Sequence, residues 1–91
     1  MNRISKEILE FHDKYEGGGL LHEPWVSQKA RDQGKSYGDA CSLLGEYIDK
    51  LYFVKVKELS SELRAKTLQR IAELESVIDA EVIGILKKRV G

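Results

Sequence analysis

Ser60–Arg89 reads SSELRAKTLQRIAELESVIDAEVIGILKKR, thirty residues without a proline and with a single glycine, Gly84. Thr67, Leu68, Ile71, Leu74, Ile78, Val82, Ile85 and Leu86 recur at spacings of three and four. At about 100° per residue they fall in a stripe about 120° wide, the pattern of a helix packed along one face. The spacing predicts one long amphipathic helix over 61–89, which would organise the rest of a short chain.

Working outward, the other segments also read as helices. Ile4, Ile8, Phe11 and Tyr15 share one face of a helix over about 3–16, supported by Arg3/Glu7, Lys6/Glu10 and Glu10/Lys14 pairs one turn apart. Gly17-Gly18-Gly19 stops it. Pro24 suits the first position of a short helix over 24–33, with Gly34 as its stop. Ser36 and Asp39 have the spacing of a capping box opening a third helix over 37–58, with Tyr37, Ala40, Cys41, Leu44, Ile48 and Leu51 on its inner face. Leu51–Val56 is rich enough in aromatic and β-branched residues for a strand. Helix is preferred there, because no turn signal separates the run from Leu44 and no second strand exists to pair with it. Ser60-Ser61 marks the break before the last helix. The expected fold is all-α: one domain of three or four helices, a bundle or a long helical hairpin with an extended C-terminal helix.

Composition narrows the functional classes. The 91 residues carry fifteen basic and fifteen acidic side chains, and the balance holds in each half. Neither half offers the excess positive charge of a general nucleic-acid or acidic-membrane binder. Cys41 is the single cysteine, so no intrachain disulfide can form, which fits a reducing, cytoplasmic setting. Lys6, Glu7, Glu10 and Asp13 interrupt the N-terminal apolar residues, which argues against a secretory signal.

Several motifs suggest chemistry and are better explained by structure. Gly34-Lys35-Ser36 resembles the end of a phosphate-binding loop, but Lys29 stands where the motif's first glycine is required. His12, His22 and Cys41 match no zinc spacing, and Cys41 lies on a core face. The amides of Gly17–Gly19 could face an anion, although a helix connection accounts for the same residues. Trp25, Tyr47, Tyr52 and Phe53 could stack on bases, yet no basic run accompanies them. Trp25 reads as a core or interface anchor. Lys87-Lys88-Arg89 could form a nucleic-acid patch, the mark of an accessory protein, but three cations in a last helical turn already answer the helix dipole.

Two carboxylate pairs, Glu7/Glu10 and Glu46/Asp49, give an E-x-x-E followed by an E-x-x-D. This resembles the magnesium-binding signature of the all-α nucleotide pyrophosphohydrolases. The resemblance implies Mg²⁺ held on a nucleoside triphosphate by these four residues, with the metal activating water. Glu46 and Asp49 point away from Leu44 on the helical wheel, so the preferred reading is a solvated face without metal or other cofactor.

Interaction surfaces carry more support. Gly38, Cys41 and Gly45 line one side of the third helix, and glycine at Gly45 is costly unless something approaches closely there. Arg64 and Glu75 both fall within the C-terminal stripe, while Arg64, Lys66 and Arg70 precede Glu73, Glu75, Asp79 and Glu81. Antiparallel pairing of two copies about residues 69–70 would set Arg64 opposite Glu75 twice. The sequence therefore suggests a non-enzymatic helical protein that binds another protein, as an adaptor, inhibitor or assembly factor, and that dimerises through Arg64, Thr67, Leu68, Ile71, Leu74, Glu75, Ile78, Val82 and Ile85, with Gly45 and Trp25 as further contacts.

Overall fold

The computed structural model describes residues 3–15 and 23–91. They form an all-α fold of four helices: α1 (Lys6–Tyr15), α2 (Gln28–Val56), α3 (Ser61–Glu75) and α4 (Ala80–Val90). Gly17–Gly19 and His22 lie outside the described residues.

The central element is α2, 29 residues long. At about 1.5 Å per residue it spans about 43 Å, close to the 46 Å long axis of the molecule. Two helices were expected here, and there is one. Ser27 is its N-cap, its hydroxyl accepting from the Ala30 amide at 3.2 Å. Pro24 does not open a helix. Val26 N–H donates to Glu23 O at 3.1 Å, so Pro24 occupies the second position of a β-turn, a place that also suits its fixed φ. Ser36 caps nothing: its hydroxyl donates back to Asp32 O at 3.2 Å within the helix, which continues through Gly34. Leu51–Val56 is helical, and α2 ends where the Lys57 amide donates to Phe53 O. Ser60 then caps α3 through its hydroxyl and the Leu63 amide, 3.2 Å apart, at the break expected there.

The C-terminal stretch is not one helix. α3 stops at Glu75, and α4 starts at Ala80. The cause is distant in sequence. Residues 76–79 form a parallel β-bridge with the segment before α1: Ile4 N–H donates to Val77 O at 2.8 Å, and Asp79 N–H donates to Ile4 O at 2.9 Å. The Arg3 guanidinium donates to Ser76 O at 2.8 Å, Ile78 O at 2.7 Å and Asp79 Oδ1 at 3.0 Å. Local periodicity continues through this point, but the carbonyls and amide that would carry the helix onward are bound to residues 3 and 4.

These contacts set the packing. α3 runs antiparallel to α2, with Arg70 on Glu46 and Leu63 beside Phe53. α1 and α4 leave the bridge side by side and run parallel, Lys6 near Glu81 at their starts and Asp13 on Arg89 at their ends. The core between the four helices contains Ile4, Leu9, Leu44, Tyr47, Leu74, Ile78, Val82 and Leu86, all essentially inaccessible to water. Burying each aliphatic side chain contributes about 1.5–3 kcal/mol.

The glycines of α2 and α4 lend themselves to a direct measurement. A Cβ at Gly38 or Gly84 would meet nothing within 4 Å, and one at Gly45 would lie 4.0 Å from His12 Nε2, an ordinary contact. Each Gly→Ala change should therefore stabilise the fold by about 0.5–1 kcal/mol. Thermal midpoints should rise by about 2–8 °C per site. A fall at Gly45 would show that His12 needs the room.

Candidate functional site

The four carboxylates of the magnesium-like signature do not converge. Glu7 and Glu10 border one groove with Phe11, Lys14, Tyr15, Gln33 and Tyr37, whereas Glu46 and Asp49 border another with His12, Cys41, Ser42, Gly45 and Lys50. Glu7 is engaged by Tyr37, whose phenol it pushes above its ordinary pKa by hydrogen bonding. Among the described residues, no three His, Cys, Asp or Glu side chains are placed to share a metal ion.

Glu46 faces α3 rather than solvent, contrary to its position on the helical wheel. The reason is that α2 touches all three other helices, so polar sides of it are covered as well as its apolar arc. Arg70 grips Glu46 with two hydrogen bonds, Nε to Oε2 at 2.7 Å and Nη2 to Oε1 at 2.9 Å, and Lys50 lies 3.4 Å away. Arg70's hydrogen bonds hold the Glu46 carboxyl down at about 2, with Lys50 adding to the effect. Such a carboxylate is committed to a structural pair.

The groove beside it encloses about 540 Å³. Burial pushes the Cys41 thiol above its ordinary pKa, which disfavours the thiolate. His12 Nδ1 is buried without a hydrogen-bond partner, its nearest carboxylate oxygen, on Asp13, being 4.0 Å away. Asp13 is itself bound to Arg89 through two hydrogen bonds of 2.9 and 2.7 Å, which lower its pKa. The neighbour of Gly45 is the His12 ring, so a side chain and not a second backbone uses that space.

The C-terminal stripe is turned inward. Thr67, Ile71, Leu74, Ile78 and Val82 are buried in the chain's own core, and Ile85 is partly buried against it. Glu75 Oε2 accepts from Tyr47 Oη at 2.7 Å and pairs with Lys87 Nζ at 3.2 Å, so within the chain Glu75 already joins α3 to α2 and α4. Arg64 and Leu68 remain exposed. Of the three terminal cations, Lys87 is held by Glu75 and Arg89 by Asp13.

Large apolar side chains stay exposed elsewhere. Trp25, expected as an anchor, is 68% exposed in the turn before α2, while the adjacent Val26 is buried. Tyr52, Phe53 and Val56 at the end of α2 and Leu63 at the start of α3 are also exposed, Val56 at 66%. A groove of about 360 Å³ at this end is lined by Asp49, Lys50, Phe53, Leu63 and Thr67. The sequence signal for it was the Leu51–Val56 run, whose apolar residues occupy more of the helix circumference than one core face can cover.

The pinned Glu46 yields a signed pH prediction. Its folded-state pKa lies near 2 against an ordinary 4.5, so the ionised form favours folding. That contribution is complete above about pH 4.5 and fades as pH falls towards 2. In urea titrations Glu46→Gln should flatten the loss of stability across this window, and an unchanged slope would show that the pair contributes nothing.

No protein-family model, curated protein or solved structure matches this chain.

Proposed function

We propose that this chain is a non-enzymatic helical interaction protein, of the adaptor, inhibitor or assembly-factor kind, that takes a protein partner on the turn end of the α2–α3 hairpin, where residues 57–60 join the two helices. The observation that carries this reading is the exposed set Tyr52, Phe53, Val56 and Leu63, gathered at one end of a molecule whose other large aliphatic residues are mostly enclosed. Aromatic and branched side chains grouped in this way are the usual anchors of protein contacts. The ionic groups around the polar grooves support the same reading, because Glu46, Arg70, Asp13, Arg89, Glu75 and Lys87 are engaged with one another. The near balance of charge favours a protein partner over nucleic acid. No described helix is long and apolar enough to cross a membrane, and the single thiol is compatible with a reducing compartment.

A photoreactive amino acid at Val56 tests the surface in living cells of the source. The expected outcome is one discrete crosslinked partner that is absent when the same group sits at exposed Asp32, and that is lost on Leu63→Glu. Identical adducts from both positions would overturn the reading. Sedimentation velocity at micromolar concentration distinguishes the occupants: a dimer abolished by Val56→Glu assigns the end to a second copy, and a monomer assigns it to a different protein.

A further inference from the structure

The bend between α3 and α4 is imposed from outside. Ser76-Val77-Ile78-Asp79 contains neither Pro nor Gly. Leu74, Ile78, Val82 and Ile85 continue a helical stripe across it without a change of phase. What stops the helix is that its backbone groups are already engaged. In an unbroken helix Ser76 O, Val77 O and Ile78 O would accept from amides four residues onward, and Asp79 N–H would donate to Glu75 O. Here Ser76 O and Ile78 O accept from Arg3, Val77 O accepts from the Ile4 amide, and Asp79 N–H donates to Ile4 O. The Asp79 side chain makes no capping bond to α4 and accepts from Arg3 Nε instead. Residues 3–4 therefore exchange four backbone groups, one for one, with the helix that the local sequence favours.

We propose that Arg3–Ser5 is a strap holding a two-state element, and that its release lets α3 and α4 join into a single helix over 61–90. The same sequence then has two backbone solutions, bent when the strap is docked and straight when it is not. Ser76 O, Val77 O, Ile78 O and Asp79 N–H are paired in both arrangements, with Arg3 and Ile4 in the bent one and with Ala80, Glu81, Val82 and Glu75 in the straight one. Release also undoes the parallel alignment of α1 with α4, because that alignment begins at the Ile4–Ile78 bridge. The strap is thus a conformational control on the whole C-terminal third, separate from the turn end of the α2–α3 hairpin.

One substitution discriminates the two states. Ala80 is the first residue of α4 and is exposed, and Asp79 before it has φ −62° and ψ 142°. Proline fits that position in the bent state, since a helix's first amide has no partner within the helix and the preceding residue is already extended. In a joined helix it would be an interior proline, which breaks the hydrogen-bond ladder.

Spin labels at Lys66→Cys and Lys88→Cys in a Cys41→Ala background, read by pulsed dipolar spectroscopy on the full chain, measure the bend. The 22 intervening steps would separate the labelled backbones by about 33 Å in a straight helix. The wild-type strap should give one short distance. Arg3→Ala with Ile4→Ala should raise the ratio of the ~33 Å population to the short one at least tenfold. Ser76→Ala with Asp79→Ala, which leaves Ile4 in place, should move it the same way. Adding Ala80→Pro to either pair should remove the long population. A single short distance in both pairs, or a broad distribution that Ala80→Pro does not collapse, would overturn the proposal.

Discussion

The fold depends on a short piece of extended backbone, Ile4, laid beside Val77–Asp79. Its amide and carbonyl make two hydrogen bonds, the neighbouring Arg3 makes three more, and the Ile4 side chain is fully buried. Hydrogen bonds of this kind contribute about 0.5–1.5 kcal/mol each, and burial of the side chain about 1.5–3 kcal/mol. For a domain whose total stability is about 5–15 kcal/mol, the juncture is a large share of what keeps it folded. It also sets geometry, since α1 and α4 both start from it and α3 ends on it.

Charges elsewhere serve the packing of α2 against its neighbours. Tyr47 is fully buried, and its hydroxyl reaches Glu75, which in turn meets Lys87 of α4, so one polar chain joins three helices. Burial, with Glu75's hydrogen bond and charge, pushes the Tyr47 phenol well above its ordinary pKa. Glu46–Arg70–Glu73 joins α2 to α3 in the same manner. Exposed pairs such as Lys66–Glu62 contribute little. Partly buried, geometrically matched pairs instead select one register among several that an apolar stripe would tolerate. This is why Glu46, one of the carboxylates that resembled a catalytic set in sequence, is structural in space.

The helical class was legible because apolar stripes with period 3.6 are local facts, and the Ser60 cap was legible for the same reason. The α3–α4 bend was not, because its cause is a hydrogen-bonded partner some 75 positions away. Pro24 was ambiguous between a helix start and a β-turn, both of which use its fixed φ. The Gly34–Ser36 stop failed because Ser36 satisfies its hydroxyl within the helix. Glu46 was placed on the wrong side, since an apolar arc marks the core but not a polar face covered by another helix. For interaction residues the stripe identified what is buried, and the exposed end of α2 was visible only as excess apolarity in Leu51–Val56.

The Arg3–Ile78 contact spans 75 positions, and that separation has a consequence for how the molecule is made. At synthesis rates of about 5–20 residues per second, Ile4 waits several seconds for Val77–Asp79 to exist. During that wait α2 and α3 can pair as a local hairpin, while α1 has no α4 to lie against and Ile4, Ile8 and Leu9 are without part of their core. Closure of the domain is therefore a late event of high contact order, and the growing chain carries an uncovered apolar segment that a chaperone would meet before its own C-terminal residues do.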